Sequence, residues 1–138
     1  MTAAFRSDCP IASALDVVGD KWTLVVIRSM MLGARSFQDF HRAPEKIATN
    51  ILADRLQRLR AWGLIEETQA RPGARGGYRL TPAGADLLPL LQAAARWGTA
   101  HLPDRSAVPD WFLEAIPGDF LGPPPATTTK GDQGPEVS

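Results

Sequence analysis

Apolar residues recur with a helical period as far as Trp62, and after Gly63 the period becomes that of an extended chain. Leu64 to Ala70 and Tyr78 to Leu80 read as two short strands, joined by Arg71-Pro72-Gly73-Ala74-Arg75-Gly76-Gly77. Glycine at such a tip supplies tight-turn geometry, so the segment predicts a β-hairpin whose end is rich in arginine. The change of period restricts the architecture to a mainly α fold carrying one small hairpin.

Punctuation around the hairpin divides the rest into helices. Pro10 to Val18 has proline at the first turn and Gly19 as a stop. Asp20 then caps a strongly apolar segment containing Trp22, Leu24, Val26, Ile27 and Met30, which ends at Gly33 and is expected to be the central buried helix. Ser36 opens a short third helix to His41, with Phe37 and Phe40 three apart. A fourth, Ile47 to Trp62, sets Ile51, Leu52, Leu56 and Leu59 on one face. Thr81 and Pro82 open a final helix to about His101, in which Pro89 removes one hydrogen bond and is expected to cause a bend. Its apolar residues, Leu87, Leu88, Leu90, Leu91 and Trp97 among them, cover more than one face and call for a partner beyond the domain. Residues 106–121 predict a short C-terminal segment, helical from Asp110 to Ile116, that docks on the domain. Residues 122–138, with Pro123, Pro124 and Pro125 and little that is apolar, predict a disordered tail.

Helix, short helix, turn, polar-faced helix and basic hairpin, in that order, make a winged helix-turn-helix. An α-helix fits the DNA major groove, and a thin basic loop can follow phosphates or enter the minor groove. The outward face of the fourth helix holds Thr49, Asn50, Ala53, Asp54, Gln57 and Arg58. Asn50 can pair with adenine, Thr49 and Ala53 can touch a thymine methyl, and Asp54 can accept from cytosine N4 or form an ion pair with Arg58 four residues on. Arg71 and Arg75, with Arg79 as a weaker third, are the wing cations. Arg55, at the edge of the apolar face, is either a phosphate contact or a scaffold ion pair. Ser36 is a helix cap and a further DNA-facing candidate.

The 15 basic and 15 acidic side chains cancel, but they are unevenly placed. Residues 1–105 hold 14 basic and 10 acidic groups, while 106–138 hold 1 and 5; between Arg35 and Arg79 nine cations face five acids. A basic surface of that kind attracts phosphate on a neutral chain. The single cysteine, Cys9, forms no intrachain disulfide, and no Cys/His cluster has metal-ligand spacing, so neither metal nor cofactor is expected. Acids at Asp8 and Asp16 interrupt any signal-peptide core, and no apolar run approaches the roughly 20 residues of a membrane span. The expected location is the cytoplasm.

Cys9-Pro10, Ala14-Leu15-Asp16, Gly19-Asp20-Lys21-Trp22, Arg35-Ser36-Phe37, Ile51-Leu52 with Arg55-Leu56 and Leu59, Gly63-Leu64-Ile65, and Tyr78-Arg79-Leu80-Thr81 with Gly84 and Leu88-Pro89 occur in this order. Over about residues 9–102 the chain resembles the HxlR family of bacterial winged-helix regulators, a MarR-like group. The resemblance implies a homodimer built on the first and last helices, bound to an inverted-repeat operator in double-stranded DNA as a repressor or, less often, an activator. Two positions depart from the family pattern. Ala48 stands where a serine commonly opens the recognition helix, and Gly76-Gly77 replaces a bulkier Val-Glu pair, which implies a more flexible tip.

The resemblance also implies that Cys9 is a candidate redox sensor responding to an oxidant or electrophile. A thiol just ahead of Pro10 sits at the positive end of a helix dipole, a setting that activates thiols; the plainer alternative is a small apolar residue buried at the dimer seam. Two other functions fit the composition less well. A winged helix that binds protein instead of DNA should be apolar where Thr49, Asn50, Arg71 and Arg75 are polar. A thiol enzyme using Cys9 would need a base, and neither His41 nor His101 lies in a recognisable motif with it.

Overall fold

The computed structural model describes residues 5–68 and 76–121. Its elements run α1 (Pro10–Val18), α2 (Thr23–Met31), α3 (Phe37–His41), α4 (Thr49–Ala61), β1 (Ile65–Glu67), β2 (Tyr78–Leu80), α5 (Pro82–Ala85), α6 (Leu88–His101) and α7 (Asp110–Glu114), followed by a 3-10 turn, Pro117–Phe120. The chain is thus mainly α with a two-stranded antiparallel hairpin, in which Ile65 pairs with Leu80 and Glu67 with Tyr78.

Local chemistry accounts for most boundaries. The Asp20 carboxylate accepts from the Trp22 and Thr23 N–H groups at 3.0 and 3.1 Å and so starts α2. Gly33 and Gly63, at φ of 110° and 75°, turn the chain out of α2 and α4 in a conformation that favours glycine. Ser36 and Asp39 form a reciprocal capping box at the start of α3. The Thr81 hydroxyl donates to the Gly63 carbonyl at 2.6 Å and accepts from the Gly84 N–H, tying the foot of the hairpin to the next helix.

One apolar core joins these pieces. Ile27 and Met30 from α2, Phe40 from α3, Leu52, Leu56 and Leu59 from α4, Ile65 and Leu80 from the hairpin, Leu88 from α6 and Phe112 from α7 are all buried together. Truncating a fully enclosed side chain such as Leu52 would remove about 2–5 kcal/mol, because the site is closed on all sides.

Three details differ from expectation. The long final helix is two helices: α5 ends at Ala85, and α6 begins at Leu88 with Pro89 in its first turn. Proline has no N–H to donate, and its ring collides with the carbonyl four residues back, so Pro89 starts a helix instead of bending one. Gly77 is a site of close approach and not merely slack. A Cβ there would lie 2.5 Å from the Arg35 carbonyl oxygen, and the neighbouring Tyr78 N–H donates to that same oxygen at 2.8 Å. The C-terminal helix stops at Glu114, short of Ile116. It is held by the buried Gln92 side chain of α6, whose amide donates to the carbonyls of Phe112 and Ala115, both at 2.9 Å, and of Leu113 at 3.3 Å.

Candidate nucleic-acid interface

Helix α4 divides cleanly. Leu52, Leu56 and Leu59 are buried, and Thr49, Asn50, Ala53, Asp54, Gln57 and Arg58 are all exposed along the opposite side. The core therefore fixes which face points outward. Ala48, the residue before the helix, supplies no side-chain cap, so the first turn of α4 presents its N–H groups uncapped by that residue. Thr49 Oγ1 lies 3.4 Å from His41 Nε2, which brings the end of α3 beside the start of α4. His41 in turn stacks edge-on against Phe37 at 5.1 Å between ring centroids.

The charged members of this face are not equivalent. Arg55 is only 17% exposed, and its guanidinium donates to Asp20 at 2.7 Å and to Asp54 on its other side. It thereby joins α4 to the start of α2, the geometry of a scaffold ion pair. Burial pushes the Asp20 carboxyl up, but the Thr23 hydroxyl, the Arg55 guanidinium and the Trp22 N–H together hold it well below the usual carboxylate range. Asp54 also forms an ion pair with Arg58 at 3.1 Å, four residues on, so two guanidinium groups neutralise the acid on this face. Arg58 is 60% exposed, and an exposed pair of this kind exchanges easily for a phosphate.

Ser36 is half-buried and serves as a cap: its hydroxyl accepts from the Asp39 N–H at 3.1 Å, while the Asp39 carboxylate accepts from the N–H groups of Arg35 and Ser36. Those backbone donors lower the Asp39 pKa. Arg71 and Arg75 lie outside the described residues. Arg79 is exposed on β2 and pairs with Glu66 of β1 at 2.6 Å.

Three residues join the candidate surface that the sequence pattern did not single out. Arg42, 74% exposed and paired with Asp39, follows α3; Lys46 is exposed in the turn before α4; and His41 touches Thr49. Their common signal is position, since each flanks the turn between the two helices, and that turn carries no periodicity from which a side-chain direction can be read. Cys9 is exposed at the start of α1, with its N–H donating to the Ser7 hydroxyl at 3.3 Å. Among the described residues no group of three His, Cys, Asp or Glu is placed to hold a metal, and no helix is long and apolar enough to cross a membrane.

The sequence profile of the HxlR-like helix-turn-helix family matches residues 17–106, well over half of the chain. The chain belongs to that family. Among relatives, an uncharacterised HTH-type transcriptional regulator of Mycobacterium tuberculosis H37Rv, Rv3095, is 30% identical over 124 residues, covering 89% of this chain and 78% of the relative. The HTH-type regulator YybR of Bacillus subtilis is 29% identical over 97 residues, 70% of this chain and 78% of its own length. Among solved structures, PA1607, a candidate transcription factor, superposes with a TM-score of 0.67 at 38% identity, covering 75% of this chain and 73% of that one. The oxidised form of the redox regulator HypR gives a TM-score of 0.61 at 28% identity, over 72% of this chain and all of the other. The family and its relatives make this chain an HTH-type transcriptional regulator with a winged-helix fold.

Proposed function

We propose that this HxlR-family chain is a homodimeric, sequence-specific repressor that grips an inverted-repeat operator with α4 in the major groove. The observation that carries the reading is the unbroken exposed row Thr49, Asn50, Ala53, Asp54, Gln57 and Arg58 on a helix whose reverse side is locked into the core. Thr49, Asn50, Ala53 and Asp54 face bases, Gln57, Arg58 and the uncapped turn after Ala48 meet the backbone, and Ser36 with Arg42 lies against the neighbouring phosphates. Arg55 acts from behind, by holding α4 at its angle. Arg71 and Arg75 of the wing follow the phosphates alongside.

The dimer is supported by apolar side chains that the monomer leaves in water: Ile11 and Leu15 on α1, 73% and 52% exposed, and Leu90 and Trp97 on α6, 42% and 59% exposed. Two such helices from each of two copies, joined about a twofold axis, cover these residues and place two α4 helices to read two half-sites. Cys9, exposed at the start of α1, sits where its oxidation alters that seam, and HypR, a redox regulator solved in oxidised and reduced forms, offers a precedent at 28% and 27% identity. With a single cysteine in the chain, the oxidised product is an intersubunit or mixed disulfide, or a sulfur oxyacid.

Electrophoretic shifts of the DNA upstream of the chain's own gene, at two salt concentrations, test the reading. Salt-sensitive, sequence-selective retardation by a dimer is expected. Absence of affinity for any duplex, or binding by a monomer alone, overturns it.

A further inference from the structure

Asp54 stands in the exposed row of α4, one helical turn after Asn50, and its two carboxylate oxygens are used differently. Both guanidinium groups that reach it meet the same atom. Arg55 Nη1 donates to Oδ2, and the nearest approach of Arg58 is Nε to that same oxygen at 3.1 Å. Oδ1 accepts no hydrogen bond among the described residues, on a side chain that is 48% exposed. The contrast is with Glu45, both of whose oxygens are taken by Arg28, at 2.7 and 2.8 Å. A pair of that kind uses the whole carboxylate; Asp54 keeps one acceptor back.

The surrounding charges make such an acceptor tolerable beside DNA. A bare carboxylate on a helix in the major groove repels phosphate, and two cations at Oδ2 offset that repulsion. Arg55 is itself anchored on Asp20 at 2.7 Å. Two cations share Oδ2, so loss of either still leaves Oδ1 as the available acceptor.

Only one base suits a group that accepts and cannot donate. On the major-groove edge guanine presents the acceptors N7 and O6, and thymine presents O4, each of which repels a carboxylate oxygen. Adenine has its N6 amino donor beside the N7 acceptor. Cytosine alone shows an amino donor, N4, with no acceptor on that edge. Asn50 differs, because an amide carries donor and acceptor together and so matches adenine.

We propose that Asp54 is a specificity-determining residue that reads one cytosine in each half-site, accepting from the N4 amino group through Oδ1 while Oδ2 stays with the arginines. The inference rests on the DNA-binding reading above and adds the base. Any other base at that position sets Oδ1 against an acceptor or leaves it desolvated and unpaired, which weakens binding to unrelated duplexes. Asp54 thus favours the operator partly by disfavouring everything else.

Selection of binding sites from a randomised duplex by the full chain, followed by fluorescence anisotropy on the selected duplex and on a copy with thymine in place of the cytosine, tests the assignment. Each half-site is expected to hold one fixed cytosine, and thymine there is expected to weaken wild-type binding about tenfold or more. Asp54→Asn keeps the shape and loses the charge. It is expected to stay folded by circular dichroism, to bind the cytosine and thymine duplexes alike, and to hold a random duplex several-fold more tightly than wild type does. Asp54→Ala, which lacks the oxygen and gains no amide, is expected to lose the same preference. A selected site without that cytosine, or a cytosine preference that survives in both variants, overturns the assignment and leaves the DNA-binding reading standing. An equal change of affinity for all duplexes also overturns it, since Asp54 would then be a scaffold ion pair alone. No retention of any duplex by the wild type overturns both.

Discussion

The Arg55 guanidinium reaches the Asp20 carboxylate at 2.7 Å across 35 positions of chain, and so fastens the middle of α4 to the turn that leads into α2. Both side chains are largely withdrawn from solvent, at 17% and 26% exposure, and Asp20 also caps α2. One carboxylate therefore starts the central helix and fixes the angle of the helix proposed to read DNA. Arg55→Ala leaves Asp20 with a vacant partner and is expected to cost about 1–3 kcal/mol in urea unfolding. DNA affinity should fall for all sequences alike, because the helix is displaced and no base contact is lost. A change confined to one base position in a binding-site selection would show that Arg55 touches DNA directly.

Acid sensitivity follows from Glu45. The Arg28 guanidinium beside it holds its carboxyl at about 2, below the ordinary 4.5. A lowered folded-state pKa means that the pair stabilises the fold above about pH 4.5 and that this contribution disappears as pH falls toward 2. Thermal melts of wild type and Glu45→Gln should differ at pH 7, draw together below about pH 4.5 and converge only as pH reaches about 2. A gap of constant size across that range contradicts the pairing.

Close backbone approach makes two glycines intolerant of a methyl group. A Cβ on Gly84 would stand 2.0 Å from the Leu64 carbonyl oxygen, where α5 packs on the base of the hairpin. Gly84→Ala is expected to destabilise by about 2 kcal/mol or more, and Gly77→Ala to loosen the hairpin where β2 meets the Arg35 carbonyl. Hydrogen exchange at the Tyr78 amide reports the second effect, which should appear as faster exchange.

Base reading and phosphate contact separate by mutation. Asn50→Ala should cost about 1–3 kcal/mol against the preferred site and little against random DNA, whereas Arg75→Ala should weaken both equally and reduce the salt slope by about one. Fluorescence anisotropy on both duplexes at several salt concentrations distinguishes them, and identical behaviour of the two variants contradicts the docking.

Oxidant response, if it runs through Cys9, is removed by Cys9→Ser. Treatment with diamide should alter DNA binding by the wild type and leave the variant unchanged. An equal response in both excludes the thiol.

Helix starts were readable from the chain because their causes are local. Asp20, Ser36 and Thr81 each cap the turn that follows them, and Gly33 and Gly63 end helices by a backbone conformation that does not depend on distant residues. The buried side of α4 was readable too, since Leu52, Leu56 and Leu59 repeat with the helix period. Pro89 misled only in degree: its chemistry forbids an uninterrupted helix, but whether it bends one or begins another depends on what Ala85 and Leu88 pack against, and both are buried in the core.

Long-range partners could not be read in this way. Asp54 faces Arg58 one turn away, which spacing allows, but nothing in the order of residues joins Asp20 to Arg55, Arg28 to Glu45, or Gln92 to the carbonyls of α7. Short-range order follows from steric and hydrogen-bonding rules acting within a few residues, so it is written along the chain. Ion pairs between helices exist only after the core has drawn distant segments together. Those same contacts determine which of the basic residues remain free to meet a phosphate.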